Sequence, residues 1–427
     1  MLNDWNHWLS SLQTDQWLFA LLPLLLFDGL RYSLGSLAIW LYDFAREVGI
    51  TLLGNRKEPR FGYCPSVCVV IAGLNEAETL PHTLRSVWNS YPQLEIIVVD
   101  DGSRDAMSRV ATDFARDHAG VTVLKKNNRG GKSSALNFAL PFTTAEILVG
   151  VDSDSHVGEN AIWEIVQPFA NAEVGAVSAA VVARNTHASL VSRLQALEYL
   201  GSIFLGRLLS DRFGTLGIVS GAFGAFRRDA LSRTGGWDVG PGEDGDLTLR
   251  IRKSGYQVAF APYAQCFTNV PTAAMSLIKQ RRRWEWALIT LECRKHVDLA
   301  NPLSKNFCIN NLTMLMDRWT FNLALQFGFW AYMGWLCVHA NNDTWKLFFL
   351  YYLVFVAMNV IQIAVVLYYS NDRRRDLSAG FAIPLMPLYQ VALRAVMFYG
   401  ILEELFFRSS HHDNFVPEHV RRTTWHW

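Results

Sequence analysis

The chain has 427 residues, too many for one ordinary soluble domain. Hydrophobic residues make up 51% and charged residues only 18%, a polar surface too thin for a soluble protein of this size. The formal net charge of +1 excludes nucleic acid as a partner held by bulk electrostatics.

Residues 17–42 are largely apolar and long enough to span a bilayer. Asp28 and Arg31 interrupt the run three positions apart, a spacing that pairs them on one helical face. No Lys or Arg precedes Arg31 and no small-residue cleavage site follows a short apolar core, so a cleaved signal peptide is not expected. Arg46, Arg56, Lys57 and Arg60 come next and place the following domain in the cytoplasm. Residues 1–60 therefore read as an N-terminal transmembrane segment with a basic linker.

From 65 to 260 the chain alternates β-branched runs (Val67–Ala72, Glu95–Val99, Val121–Leu124, Ile147–Val151) with helical stretches at 76–90, 105–118 and 132–140. That spacing predicts an α/β domain with a mostly parallel sheet, its continuous apolar strands covered on both faces. From about 310 three more apolar runs follow, at 312–340, 345–369 and 381–406. Asn341-Asn342-Asp343 separates the first two, and Arg373-Arg374-Arg375 marks a cytoplasmic loop before the third. Pro384 and Pro387 predict a broken start to the last run. Four crossings put the tail outside, whereas Arg408, Arg421 and Arg422 favour the inside; either 17–42 is re-entrant or one run lies in the interface. Asp317, Arg318, Gln326 and Arg394 in these runs either line a polar path or pair between helices. Several of the 15 Trp (Trp17, Trp40, Trp319, Trp335, Trp345) sit near the ends of apolar runs, as at a membrane interface. The six cysteines contain no C-x-x-C pair, and no second pair or His cluster joins Cys64 and Cys68 into a zinc site, so free thiols are expected.

Several clusters carry chemistry. Asp100-Asp101-Gly102 closes the second strand and Ala72-Gly73-Leu74-Asn75-Glu76 the first, both at strand carboxyl ends, where open α/β sheets bind ligands; the ordinary reading of Asp-Asp-Gly is a turn. Asp152-Ser153-Asp154 follows the fourth strand and puts two carboxylates on one side, a donor set for Mg2+ or Mn2+; surface turns also produce this pattern. Gly130-Gly131-Lys132 opens a helix with free amides and a lysine, suited to a diphosphate or merely a loop with a solvated lysine. Gly242-Glu243-Asp244 opens another, either as a cap or with Asp244 as a general base. Gln280-Arg281-Arg282-Arg283-Trp284 is either a solvated basic run at a lipid surface or a cationic, aromatic platform for a diphosphate and a sugar.

The ordered set, over about 66–290, resembles the membrane-embedded family 2 glycosyltransferases: cellulose, chitin, hyaluronan and poly-N-acetylglucosamine synthases. The resemblance implies a Rossmann-like GT-A domain at 61–295, inserted between the N-terminal span and, over 296–427, an interfacial helix with about three transmembrane helices. It implies that Ala72, Asn75, Glu76, Asp101, Lys132, Asp152, Gln280 and Arg283 bind the donor's nucleotide and diphosphate. Asp152 and Asp154 would hold Mg2+ or Mn2+, Asp244 would be the base, and Ser220, Gly221, Glu243 and Trp284 would bind the acceptor. Gly242 stands where the family usually has Thr, and Gly73-Leu74 where an aromatic-containing pair is usual. The implied function is processive, inverting transfer from a UDP-sugar, best read as UDP-N-acetylglucosamine, to a growing polysaccharide, coupled to export. The implied setting is multi-pass in the inner (plasma) membrane, with membrane lipids and room for a small membrane partner subunit. No regulatory domain is expected after the membrane region. Two alternatives stand beside it: transfer of one sugar to a lipid, and a silent scaffold or transporter. The latter would have lost an acid from the set, whereas Asp101, Asp152, Asp154 and Asp244 are all present.

Overall fold

The computed structural model describes residues 32–52, 61–240, 242–305, 307–339, 344–413 and 416–424. The expectations about Asp28, Arg31, Arg56, Lys57, Arg60 and the Asn341-Asn342-Asp343 turn, and most of the 17–42 run, lie outside the described residues.

Helix α1 (Gly35–Leu52) leads to β1 (Val67–Gly73), α2 (Leu80–Val87), β2 (Leu94–Asp100), α3 (Met107–Asp117), β3 (Val121–Lys125), α4 (Lys132–Ala139) and β4 (Ile147–Asp152). Then come β5 (His156–Val157), α5 (Ala161–Val166), β6 (Val174–Ala183), α6 (Leu190–Glu198), a π-helical turn (Tyr199–Leu205) and α7 (Gly206–Arg212). The domain closes with β7 (Phe223–Arg227), α8 (Arg228–Thr234), α9 (Glu243–Lys253), β8 (Gln257–Thr268) and α10 (Ala274–Ala287).

These strands form one sheet in the order β3-β2-β1-β4-β7-β6-β8-β5. The half from β3 to β4 is parallel, as expected. The other half is mixed: β6 and β8 pair parallel, whereas β7 runs antiparallel to both β4 and β6, and β5 antiparallel to β8. The reversal has a physical origin in the helical path through α6 and α7, which returns the chain at the carboxyl end of β4. There the Asp152 N–H donates to the Ala222 carbonyl at 3.1 Å. Segment 219–222 is thereby laid beside Asp152.

β1 is apolar without interruption because alternate side chains enter different cores. Val67, Val69 and Ile71 pack with Leu80, Leu84 and Met107 on one face, and Cys68 and Val70 with Leu136 and Ala139 on the other. Full burial of each such aliphatic side chain contributes about 1.5–3 kcal/mol. The second core continues past the sheet into the C-terminal helices and includes Ile363, Val366, Tyr389 and Leu393.

Beyond α10 lie α11 (Ile309–Arg318), a π-helical turn (Trp319–Ala324), α12 (Leu325–Val338), α13 (Thr344–Tyr369), α14 (Arg373–Ala379), α15 (Met386–Phe407) and α16 (Glu418–Thr424). Among the described residues two helical stretches are long and apolar enough to cross a membrane, Thr344–Tyr369 and Arg373–Phe407. The 312–340 run is helical but is not one of these two. Arg373-Arg374-Arg375 starts a short helix rather than an open loop, because the Asp372 carboxylate accepts the Arg375 N–H as an N-cap. The expected break lies at a 3-10 turn, Gly380–Leu385, containing Pro384, with Pro387 in the first turn of α15. Of the polar residues in the apolar runs, Arg318 pairs with Glu292, Arg394 stacks over Phe329 at 5.3 Å, and Gln326 is buried.

Candidate active site

The carboxyl ends of β1, β2 and β4 meet at one edge of the sheet, where Ala72 is in register with both Val99 and Asp152. Asp100 is buried and its Oδ1 accepts the Ser103 N–H at 2.7 Å. Burial pushes its carboxyl up, but hydrogen bonds from Ser103 and Ser108 outweigh this and hold it below the usual range. The Asp101 carboxylate accepts the N–H groups of Gly130 (2.9 Å) and Gly131 (2.6 Å) and the Lys126 ammonium. Asp101 thus fastens the glycine loop to the strand edge. Gly131 has φ +85°, a conformation that favours glycine. Asn75, with φ +59°, donates its N–H to Ser103 Oγ and accepts the Arg104 N–H, both at 2.9 Å, stapling the loop after β1 to the loop after β2. The Glu76 carboxylate accepts the Thr79 hydroxyl at 2.6 Å.

Lys132, the first residue of α4, reaches across to the Asp152 carboxylate and donates to the Gly221 carbonyl at 2.9 Å. Glu243 is 4.0 Å away. Burial lowers its ammonium's proton affinity, but the charges of Asp152, Glu243 and Asp244 outweigh this and hold it well above the usual lysine range. Burial pushes the Asp154 carboxyl up, and the negative charges of Asp152 and Glu76 push it further. A divalent cation relieves such repulsion. Among the described residues no cluster of three or more His, Cys, Asp or Glu side chains could hold a metal. A pair of carboxylates still suits Mg2+ or Mn2+, which keep positions for water and phosphate oxygens.

α9 brings Glu243 and Asp244 to the same place. Its first turn carries Glu243, Asp244 and Asp246 and its last turn Arg250, Arg252 and Lys253, the polarity that the helix dipole favours. Gly242 caps it with φ +73°, and a Cβ there would lie 2.8 Å from Ala287 Cβ. The local backbone therefore excludes the β-branched residue usual at this position. Asp244 Oδ2 accepts the Gly221 N–H at 3.1 Å and Oδ1 the Gly245 N–H at 2.8 Å. The 219–221 loop hangs from two further hydroxyls: the Val219 N–H donates to Thr248 Oγ1 (3.0 Å) and the Ser220 N–H to Ser178 Oγ (3.2 Å). Burial and the neighbouring Asp244 push the Glu243 carboxyl up, against the pull of Lys132. Lys132, Ser220, Gly221, Glu243 and Asp244 line one small cavity.

The Gln280–Trp284 run lies on α10, and the structure separates its members. Gln280 Oε1 accepts from Arg281 at 3.3 Å. Arg281 is buried, pairs with Glu198 at 2.8 Å and covers the Trp284 ring at 3.9 Å. Arg282 makes two 2.7 Å bonds to the Glu403 carboxylate of α15. Arg283 Nε donates to Asp413 at 2.9 Å. Trp284 is 44% exposed. Of the expected platform, then, Arg281 and Arg282 are structural clamps, and Arg283 and Trp284 lie at the more open end. Pro417 lies 3.6 Å from the position of a Cβ on Gly131, so Asp413 and Pro417 bring the C-terminal segment to both the arginine and the glycine loop.

The structure adds two residues that the motif reading missed. Lys126 joins Asp101, and its signal was proximity to the glycine loop. Arg207 stands within electrostatic reach of Asp244, and its signal was a lone cation among Phe204, Leu205, Leu208 and Leu209.

The family description "Glycosyltransferase like family 2" matches residues 65–287. A poly-beta-1,6-N-acetyl-D-glucosamine synthase from Staphylococcus epidermidis is 31% identical over 221 residues, which is 51% of this chain and 53% of that protein. One from Staphylococcus aureus strain COL is 28% identical over 261 residues, 60% of this chain and 62% of that protein. The alignment thus spans little more than half the length of these relatives. In fold, the chain is similar to a mannosyltransferase from Pyrobaculum calidifontis solved with GDP-Man and Mn2+: the TM-score is 0.56 at 23% identity, over 86% of this chain and 98% of the other. The sheet and its flanking helices are the GT-A arrangement expected from the motifs. With the family description matched over more than half its length, the chain belongs to glycosyltransferase family 2.

Proposed function

We propose that this chain is a processive, inverting glycosyltransferase that moves N-acetylglucosamine from its UDP-sugar to a growing polysaccharide at a membrane. The observation that carries this reading is the placement of Asp244. Its carboxylate is aimed by the Gly221 N–H into the cavity that Lys132 and Glu243 also line. The poly-beta-1,6-N-acetyl-D-glucosamine synthases among the relatives support the choice of sugar and product.

In this reading Asp244 takes the proton of an acceptor hydroxyl. The hydroxyl oxygen bonds to the anomeric carbon on the face opposite the nucleotide, the bond from that carbon to the phosphate oxygen breaks, and UDP leaves. Lys132 and Arg283 offset the charge developing on the diphosphate, and Trp284 holds the acceptor sugar in line. Ala72, Asn75, Glu76, Asp101 and Gln280 shape the nucleotide side, with Ser220, Gly221 and Glu243 on the acceptor side. Asp152 and Asp154 would hold Mg2+ or Mn2+, which when bound neutralises diphosphate charge. Base catalysis contributes roughly 10²–10⁴-fold.

The two apolar helical stretches, the second opening on Arg373-Arg374-Arg375, support a multi-pass protein of the plasma (inner) membrane, its catalytic domain in the cytoplasm and its product exported. Purified full-length protein with UDP-N-acetylglucosamine and Mg2+ or Mn2+ should release UDP and build a product of many sugars. Asp244→Asn and chelation by EDTA should each abolish both. UDP release no faster than that of Asp244→Asn across all UDP-sugars would sink the reading, and a single-sugar glycolipid as sole product would replace the polymer by a lipid acceptor.

A further inference from the structure

Arg207 is a half-buried arginine whose charge is not answered by an acid. Among the described residues no carboxylate lies within ion-pair distance of it, and its one hydrogen bond runs from Nη1 to the Ala179 carbonyl at 3.0 Å. Burial pushes its guanidinium down to about 10, opposed by the charges of Asp244 and Tyr199. Holding an unmatched cation in partly desolvated surroundings is costly and needs a compensating role.

The buried arginines Arg252 and Arg281 have more partners. Arg252 donates to Asn311 Oδ1 (2.7 Å) and to the carbonyls of Leu216 (3.1 Å) and Gly214 (2.8 Å). Arg281 has Glu198 and the Trp284 ring. Arg207 alone of the three leaves two nitrogens without a partner, and neither is sealed from solvent.

Its anchorage points to the acceptor side. Ala179 follows Ser178 in the middle of β6, and Ser178 Oγ accepts the Ser220 N–H, so adjacent residues of one strand fix both Arg207 and the loop whose Gly221 N–H donates to Asp244. Asp244 acts electrostatically on Lys132 and on Arg207, whereas Asp152 and Glu243 head the charges on Lys132 and Tyr199 is the other charge on Arg207. Asp244 is thus within electrostatic reach of both cations, Lys132 at the start of α4 and Arg207 on the helical path that also carries Tyr199, whose neighbour Glu198 holds Arg281 of the Gln280–Trp284 run.

We infer that Arg207 is an acceptor-binding residue: its free N–H groups donate to the hydroxyl or acetamido oxygens of the terminal acceptor sugar and fix that sugar beside Asp244. The chemistry suits a neutral glycan, which supplies lone pairs without a charge that Asp244 would repel. The inference rests on the proposed role of Asp244.

The test uses full-length protein in detergent and two binding probes, UDP and a short oligosaccharide of β-1,6-linked N-acetylglucosamine, by calorimetry. Arg207→Met should weaken oligosaccharide binding by about ten-fold or more while UDP affinity changes by less than about two-fold. Arg207→Gln, which keeps a donor for Ala179, should fold like the wild type and show the same split, and Arg207→Lys should recover part of the loss. Equal weakening of both probes, or unchanged oligosaccharide binding in either folded variant, would overturn the assignment. Because binding is read without turnover, a wild type that binds the oligosaccharide but transfers no sugar would refute the proposed reaction and leave the role of Arg207 standing.

Discussion

Arg283 Nε donates to Asp413 at 2.9 Å across 130 positions of sequence. The bond sets the cation proposed to face the donor diphosphate against a carboxylate of the C-terminal segment. A diphosphate must therefore compete with Asp413 for the same guanidinium. Asp413→Asn should tighten UDP binding by about three-fold and Arg283→Gln should weaken it by about ten-fold. Calorimetric titration of UDP checks both, and weaker binding in Asp413→Asn would show that the acid organises the site instead of competing with it.

Gly221 lies against both Lys132 and Asp244, two of the three charged residues that line the cavity. A Cβ there would lie 3.2 Å from Lys132 Nζ and 3.3 Å from Asp244 Oδ2. The crowding falls on polar side-chain ends, so the fold survives while the base and the lysine shift. Gly221→Ala should cut kcat by about 10²-fold, in line with small misplacements of reacting groups, with the melting temperature nearly unchanged. Steady-state rates and a thermal melt measure the two separately.

Glu285 gives a pH signature independent of catalysis. It is buried on α10, and burial with the nearby Glu292 pushes its carboxyl up to about 8, against the pull of Arg318 and Arg281. The folded protein keeps a proton that the unfolded chain releases at an ordinary glutamate value. Stability from this group is therefore complete below about pH 4.5 and is lost as pH rises through about 8. Glu285→Gln removes this term, so its melting temperature should fall less than that of the wild type between about pH 5 and 8. Parallel curves for the two proteins would refute the assignment.

The parallel half of the sheet was legible because β1, β2 and β4 are largely buried on both faces and read as apolar runs, while the more exposed edge strand β3 was marked by its alternating Val121 and Val123. Expected strands at 67–72, 95–99, 121–124 and 147–151 became 67–73, 94–100, 121–125 and 147–152. The reversal of β7 was not legible, because it is set by where α6 and α7 lead the chain rather than by any property of Phe223–Arg227. The same division runs through the site. Asp101, Asp152 and Asp244 sit at strand and helix ends, positions that local sequence marks. Arg281, Arg282 and Arg283 look alike in sequence, and only the fold gives them Glu198, Glu403 and Asp413 as separate partners. Arg207 escaped because one cation between the apolar residues Phe204, Leu205, Leu208 and Leu209 has no spacing to recognise.

The bidentate bond between Arg282 and Glu403 sits beside Gly400, where a Cβ would lie 3.2 Å from Arg282 Cα. α10 and α15 are therefore in close backbone contact at this point. α15 has 22 residues, about 33 Å of helix, close to the thickness of a hydrocarbon layer. If α15 crosses that layer, a thinner or thicker bilayer tilts it, and the tilt reaches Trp284 through a joint with little slack. Lipid chain length then becomes a control on the geometry of sugar transfer, acting with no ligand.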